Sequence, residues 1–170
     1  MEAKKELKYI FSNVNDWLKF AEAKHAGLII LNSGFVVGIL TIYEHSHSYT
    51  SKPFVLIGMI CFGISIFTSL ISQFPTMQNI FRDRKYSFTH NLYFYKSLAS
   101  MNVISFVEEL KKIDSGFTIT KLDNDLINQI LINSRITQSK FSIFRLSSYI
   151  TVLGLGIIGL SSIIKILWHF

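Results

Sequence analysis

Hydrophobic and polar residues fall along this chain in long blocks. Three apolar runs, Ala26–Tyr43, Pro53–Phe74 and Ser148–Phe170, contain no acidic residue, and their one Lys or Arg is Lys165, near the end of the last. A long basic side chain in that place can snorkel to an interface. A bilayer's hydrocarbon core is ~30 Å thick and takes about 20 helical residues to cross. The pattern predicts an all-α, multi-pass membrane protein. It has a hairpin of spans at 26–43 and 54–74, a third transmembrane helix at 148–170, and a helical domain at 75–147 between the second and third.

The polar blocks carry helix signals of their own. Asn13 or Asn15 is placed to cap a helix that runs through Trp17–Lys24 into the first span, with no Gly or Pro before Gly27. Pro53 suits a helix's first turn, where its missing N–H costs nothing, and Pro75 closes the second span. Asn102 caps a run whose apolar positions Val103, Phe106, Val107 and Leu110 recur at helical spacing, and Asp114-Ser115-Gly116 ends it. Thr120-Lys121-Leu122-Asp123 resembles a capping box with Asp in place of Glu. No breaker follows until the glycines of the third span. Leu122, Leu126, Ile130, Asn133, Thr137, Phe141 and Phe144 fall along one stripe that is polar in its middle. About 48 residues at ~1.5 Å each predict a helix ~70 Å long.

Charge sets an expected orientation. Fifteen of the 17 Lys and Arg precede the first span or lie between Pro75 and Ser147. The positive-inside rule places residues 1–25 and 75–147 in the cytoplasm, and the loop Glu44–Lys52 and the C-terminus outside. Trp168 is an expected interfacial anchor. The first span begins too late and runs too long for a cleaved signal peptide. Cys61, the only cysteine, excludes an intramolecular disulfide and a cysteine-based zinc site.

Catalytic chemistry has no candidate. No GxSxG, HExxH, P-loop or C-x-x-C is present, so the chain is expected not to be an enzyme and to need no cofactor. Gly154-Leu155-Gly156-Ile157-Ile158-Gly159 matches the dinucleotide fingerprint in letters, but it lies inside a transmembrane run with no strand before it. Its better reading, with Gly34 and Gly38 in the first span, is a small-residue face for close helix packing within the chain or between copies. His45 and His47 form an H-x-H with no convincing third ligand, so no metal is expected. The spans carry no midplane charge. Asn32, Ser65, Thr68 and Ser69 are their polar residues there, which argues against a monomeric pump and leaves open a pore formed by association.

The stretch Arg82, Arg84, Lys85, Tyr86, Phe88, His90, Tyr93, Phe94, Tyr95, Lys96 is basic and aromatic. It fits a juxtamembrane segment on anionic lipid, or a pocket for a small anion bearing a flat base.

The order of short motifs also carries a resemblance. Trp17, Ala21, Glu22 and Lys24 lead into the hairpin. His90-Asn91-Leu92-Tyr93-Phe94, Phe106-Val107-Glu108-Glu109-Leu110, Asp125–Ile130, Ser134-Arg135-Ile136 and Lys140-Phe141 follow in turn. From about Trp17 to Gly159 the chain is similar to the transmembrane effectors of Pycsar antiphage systems. That resemblance implies a bacterial inner-membrane effector functionally paired with a pyrimidine nucleotide cyclase. The signal would be cyclic CMP or cyclic UMP, and the response membrane disruption and abortive infection. Its partners would be that nucleotide and the lipid bilayer, with no nucleic acid; several subunits binding together would shift the population more readily than one, so a homo-oligomer is expected. The cytoplasmic residues most complementary to a cyclic mononucleotide are Arg82, Arg84, His90, Tyr93, Phe94, Arg135 and Lys140. The tyrosine-rich run departs from the family pattern where Tyr95-Lys96 replaces a small residue. Two other readings are a membrane scaffold that senses no nucleotide and a membrane effector answering a cyclic oligonucleotide.

Overall fold

The computed structural model describes residues 2–45, 52–74 and 91–168, and the regular structure among them is helical throughout. Five helices follow in order: α1 (Glu2–His45), α2 (Lys52–Ile71), α3 (Tyr95–Ser100), α4 (Val103–Ile113) and α5 (Lys121–Trp168). Three of them, α1, α2 and α5, are long and apolar enough to cross a membrane. Residues 46–51 and 75–90, with His47, Pro75 and the basic positions Arg82, Arg84 and His90, and also His169-Phe170, lie outside the described residues.

Several helix ends form where the sequence signals them. Pro53 sits in the first turn of α2. The Asn102 side chain accepts from the Ser105 N–H at 2.8 Å, and Ser105 Oγ accepts in return from the Asn102 N–H, a reciprocal box at the start of α4. Asp123 closes the other box: its carboxylate accepts from the Thr120 hydroxyl at 2.7 Å and from the Thr120 N–H at 3.0 Å. From there α5 runs 48 residues without a break.

The start of α1 is different. Neither Asn13 nor Asn15 caps it, because the helix already begins at Glu2. Ala3, Leu7, Ile10 and Val14 recur at helical spacing and are all buried, and this packing outweighs the capping preference of the two asparagines. Their amides serve tertiary contacts instead. Asn13 Nδ2 donates to the Tyr93 carbonyl at 2.7 Å, and Asn15 Oδ1 accepts from Asn133 Nδ2 at 2.8 Å.

The chain divides into two compact units, each fed by both long helices α1 and α5. The first comprises Met1–Glu22 and Thr76–Ser142. Its core joins the early α1 stripe to Leu92, Leu98, Met101, Phe106, Val107, Leu110, Phe117, Ile127, Ile130 and Leu131. Along the expected α5 stripe, Ile130, Asn133 and Thr137 are buried and Leu126 packs against the core, but Leu122 is 80% exposed. Leu122 belongs to the helix's first turn, which the capping box holds at the surface.

The second unit comprises Ala23–Pro75 and Ile143–Phe170. Within the most apolar windows of α1, α2 and α5 only 17%, 28% and 22% of residues are buried, so most of their Ile, Leu, Val and Phe side chains face outward. An apolar exterior of that extent suits hydrocarbon rather than water. Its interior sets a few apolar side chains, Leu28, Val55, Phe62 and Ile143, among small and polar residues: Gly58, Ser65 and Ser69 of α2, Asn32 of α1, and Ser147 and Thr151 of α5.

Candidate functional site

The first unit gathers its candidate side chains around the short helix α3. Tyr93 and Phe94 precede it, and each has settled contacts. The Tyr93 N–H donates to Asn91 Oδ1 at 2.8 Å, while its ring stands edge-on to Tyr9 with centroids 5.8 Å apart. The Tyr93 hydroxyl donates to Glu6 Oε2 at 2.8 Å. That bond, then burial and the carboxylate's negative charge, pushes the phenol above its ordinary pKa, so Tyr93 is a neutral donor at physiological pH.

Phe94 opens an aromatic cluster. Its ring lies 5.0 Å from Tyr95, and Tyr95 stacks on Phe141 at 5.1 Å with planes 27° apart. Trp17 touches both Tyr95 and Phe141, and Phe20 leans on Trp17 and Phe141. Next to Phe141 in the chain, Lys140 is 8% exposed with its ammonium 3.3 Å from Glu22 Oε1. A line of amides runs beside this face: Gln129 Nε2 donates to Asn133 Oδ1, and Asn133 Nδ2 to Asn15 Oδ1.

Arg135 serves the far end of α3. Its Nε donates to the Ala99 carbonyl at 3.4 Å and its Nη2 to the Met101 carbonyl at 3.2 Å. The guanidinium thereby satisfies carbonyls that the end of α3 leaves without helical partners. A guanidinium has five donors and the residue is exposed, so the site retains capacity for an anion. The sequence-derived set is therefore split. Phe94 belongs to the aromatic cluster, Lys140 pairs with Glu22, Arg135 holds the other end of α3, and Tyr93 turns toward Glu6. Arg82, Arg84 and His90 lie outside the described residues.

The small-residue faces divide as well. Gly154 meets α2 at close range: a Cβ there would lie 2.9 Å from Cys61 Cβ and 3.2 Å from the Gly58 carbonyl oxygen. A Cβ on Gly58 would collide with the Ile158 side chain. Gly34, Gly38, Gly156 and Gly159 have open space within 4 Å, so of the five glycines singled out in the sequence only Gly154 packs closely against other described residues. Among the described residues no three His, Cys, Asp or Glu side chains group as metal ligands would.

A known family fits both units at once. The model of the Pycsar effector protein domain (PycTM) matches residues 6–167, nearly the whole chain. The chain belongs to this family. No curated protein and no solved structure matches it. As a Pycsar effector it is an antiphage membrane protein that answers a cyclic nucleotide signal from a cyclase, in a family not known as catalytic.

Parts of this effector's geometry escaped the sequence. The partner glycine of Gly154 is Gly58, which stands in no short motif. Its signal was the 3- and 4-residue spacing of Val55, Gly58, Phe62, Ser65 and Ser69, all buried on one face of α2. Glu6 as the partner of Tyr93, and Asn15 as the partner of Asn133, join residues 87 and 118 positions apart, and no local pattern encodes such pairs.

Proposed function

We propose that this Pycsar effector binds a cyclic pyrimidine nucleotide, cyclic CMP or cyclic UMP, on its first unit and impairs the bacterial inner membrane through its second. The infected cell then dies before the phage matures. The observation that carries this reading is the family match over both units. The charge asymmetry of the sequence supports an orientation with the first unit and N-terminus in the cytoplasm and the C-terminus in the periplasm.

The chemistry of the first unit supports a nucleotide ligand. Arg135 and Lys140 supply cationic donors for a cyclic phosphate, and Phe94 with Tyr95, Phe141 and Trp17 offers ring faces for a base. Arg82, Arg84, His90 and Tyr93 complete the proposed set. A ligand shifts such a protein only by binding the active state more tightly than the resting one. Moving it from ~1% to ~99% active takes about 5.5 kcal/mol of differential binding. Several bound copies reach that sum more readily than one, so the active form is a homo-oligomer. Gly34, Gly38, Gly156 and Gly159, open within the chain, are its proposed contacts.

Co-expression with the paired cyclase tests the function. The effector should depolarise the inner membrane only when the cyclase is active, and Arg135→Ala should blunt the response. Depolarisation triggered by a cyclic oligonucleotide synthase and not by the cyclase would replace the ligand. Growth unaffected by either enzyme would favour a scaffold.

A further inference from the structure

Polar side chains inside apolar helices are the least expected residues of the second unit, and several of them form one connected cluster around Asn32 and Ser65. Asn32 Nδ2 donates to Ser65 Oγ at 3.0 Å, and Thr151 Oγ1 donates to Asn32 Oδ1 at 3.0 Å. Ser65 Oγ lies 2.9 Å from Thr151 Oγ1 and donates to the Ser147 carbonyl at 2.9 Å. Thr68 Oγ1 and Ser147 Oγ pair at 2.7 Å, and Ser72 Oγ meets His25 Nε2 at 3.0 Å. Each of the three long helices contributes, and Asn32, Ser65 and Ser147 are fully buried. By contrast, the buried hydrophobic side chains of this unit are few: Leu28, Val55, Phe62 and Ile143 among the described residues.

That contrast matters because lipid tails are as apolar as leucine. Packing one apolar helix face on another gains little over packing it on lipid, so hydrogen bonds between helices carry much of the preference for a closed bundle. Each such bond is modest, about threefold in an equilibrium, and finds other partners if the helices part. Three of them favour closure by on the order of 20-fold. This is enough to hold a resting state and small enough for ligand binding to overcome.

We propose that the Asn32–Ser65–Thr151–Ser147 cluster is a clasp that keeps the three membrane helices closed and the protein harmless, and that membrane damage requires it to open. The proposal rests on the membrane-impairing function above but not on the identity of the ligand. The variant Ser65→Ala/Thr151→Val removes the three bonds that join Asn32, Ser65, Thr151 and the Ser147 carbonyl between helices, since each hydroxyl has one hydrogen to donate. It leaves the apolar exterior that drives insertion unchanged.

The test uses full-length protein reconstituted in dye-loaded vesicles of phosphatidylethanolamine and phosphatidylglycerol, without nucleotide. Wild type should stay tight, and Ser65→Ala/Thr151→Val, inserted to the same level, should release dye at a rate raised on the order of 20-fold. A second variant guards against misfolding: Ser65→Cys/Thr151→Cys on a Cys61→Ala background, whose sulfurs replace hydroxyl oxygens 2.9 Å apart. It should be tight when oxidised and leaky after reduction. A clasp-deleted variant as tight as wild type, or an oxidised pair as leaky as the reduced one, overturns the proposal. Adding cyclic CMP or cyclic UMP to wild type reads the sensor separately. No response from wild type beside a leaky variant refutes the nucleotide and leaves the clasp standing. A responsive wild type beside a tight variant does the reverse.

Discussion

The two units of this effector share the same two long helices but differ in the balance of their interiors. In the first, α1 buries Ala3, Leu7, Ile10 and Val14, and the core around Phe106, Leu98 and Ile127 is apolar. In the second, α1 keeps the same 3- and 4-residue spacing but buries His25, Leu28 and Asn32, while Ile30, Leu31 and Val37 face outward. Helix α5 makes the change more gradually, from Ile127 and Ile130 through Asn133, Ser134 and Thr137, already buried in the first unit, to Ser147 and Thr151. Helix geometry fixes which positions point inward, and the solvent decides what chemistry belongs there. In water the interior must be apolar to be stable. In hydrocarbon the interior is where small and hydrogen-bonding residues gain something that lipid cannot offer.

Core truncation should separate the units most strongly. Phe106 is fully buried, so Phe106→Ala should destabilise the first unit by ~3–5 kcal/mol. Proteolysis in detergent should then cut within 91–142 while the membrane helices stay protected. Cleavage spread equally over both units would erase the contrast drawn above.

Overpacking probes the other interior. Gly58→Leu places a side chain where Ile158 already sits and should cost ~1–3 kcal/mol of helix packing. Gly156→Leu meets open space in its own chain, so a monomer should tolerate it. If Gly156→Leu abolishes assembly on native gels while the monomer still inserts, the open glycine face is a contact between copies. Unchanged assembly assigns it to lipid.

At the surface of the first unit the effects shrink. Arg135→Ala removes two hydrogen bonds from the end of α3, about 1 kcal/mol, readable as a small loss in thermal stability of the unit. The smallest effect is at Asp123. Hydrogen bonds from the Thr120 hydroxyl and N–H, and then the Lys4 ammonium 3.4 Å away, hold its carboxyl below the usual aspartate range. The folded state therefore binds this proton less tightly than the unfolded chain. Its stabilising contribution is complete above the ordinary value of about 4 and is lost as pH falls through the lower folded value. Asp123→Asn should flatten that part of the acid limb and cost ~0.5–1 kcal/mol at neutral pH. An unaltered acid profile would place the titration elsewhere.

Much of the fold was legible because it is local. Pro53, Asn102 and the Thr120–Asp123 box act within one turn, and a run without charges declares a span wherever it occurs. The start of α1 was not, because Lys4, Lys5 and Lys8 surround the stripe at Ala3, Leu7, Ile10 and Val14, and Asn13 and Asn15 look like caps until Tyr93 and Asn133 are known to meet them. The candidate site was legible in composition only. Arg135 stands out as a cation on α5, but its bond to Met101 depends on the end of a six-residue helix that no sequence period announces.

The central claim is that the first unit senses a cyclic pyrimidine nucleotide, and calorimetric titration of the detergent-purified full-length protein tests it most directly. One of cyclic CMP and cyclic UMP should bind saturably. Because a charge-assisted contact is worth ~1.5–3 kcal/mol, Arg135→Ala should weaken that binding roughly 10- to 150-fold. No heat of binding with any cyclic nucleotide, from protein whose first unit is folded, would contradict the account.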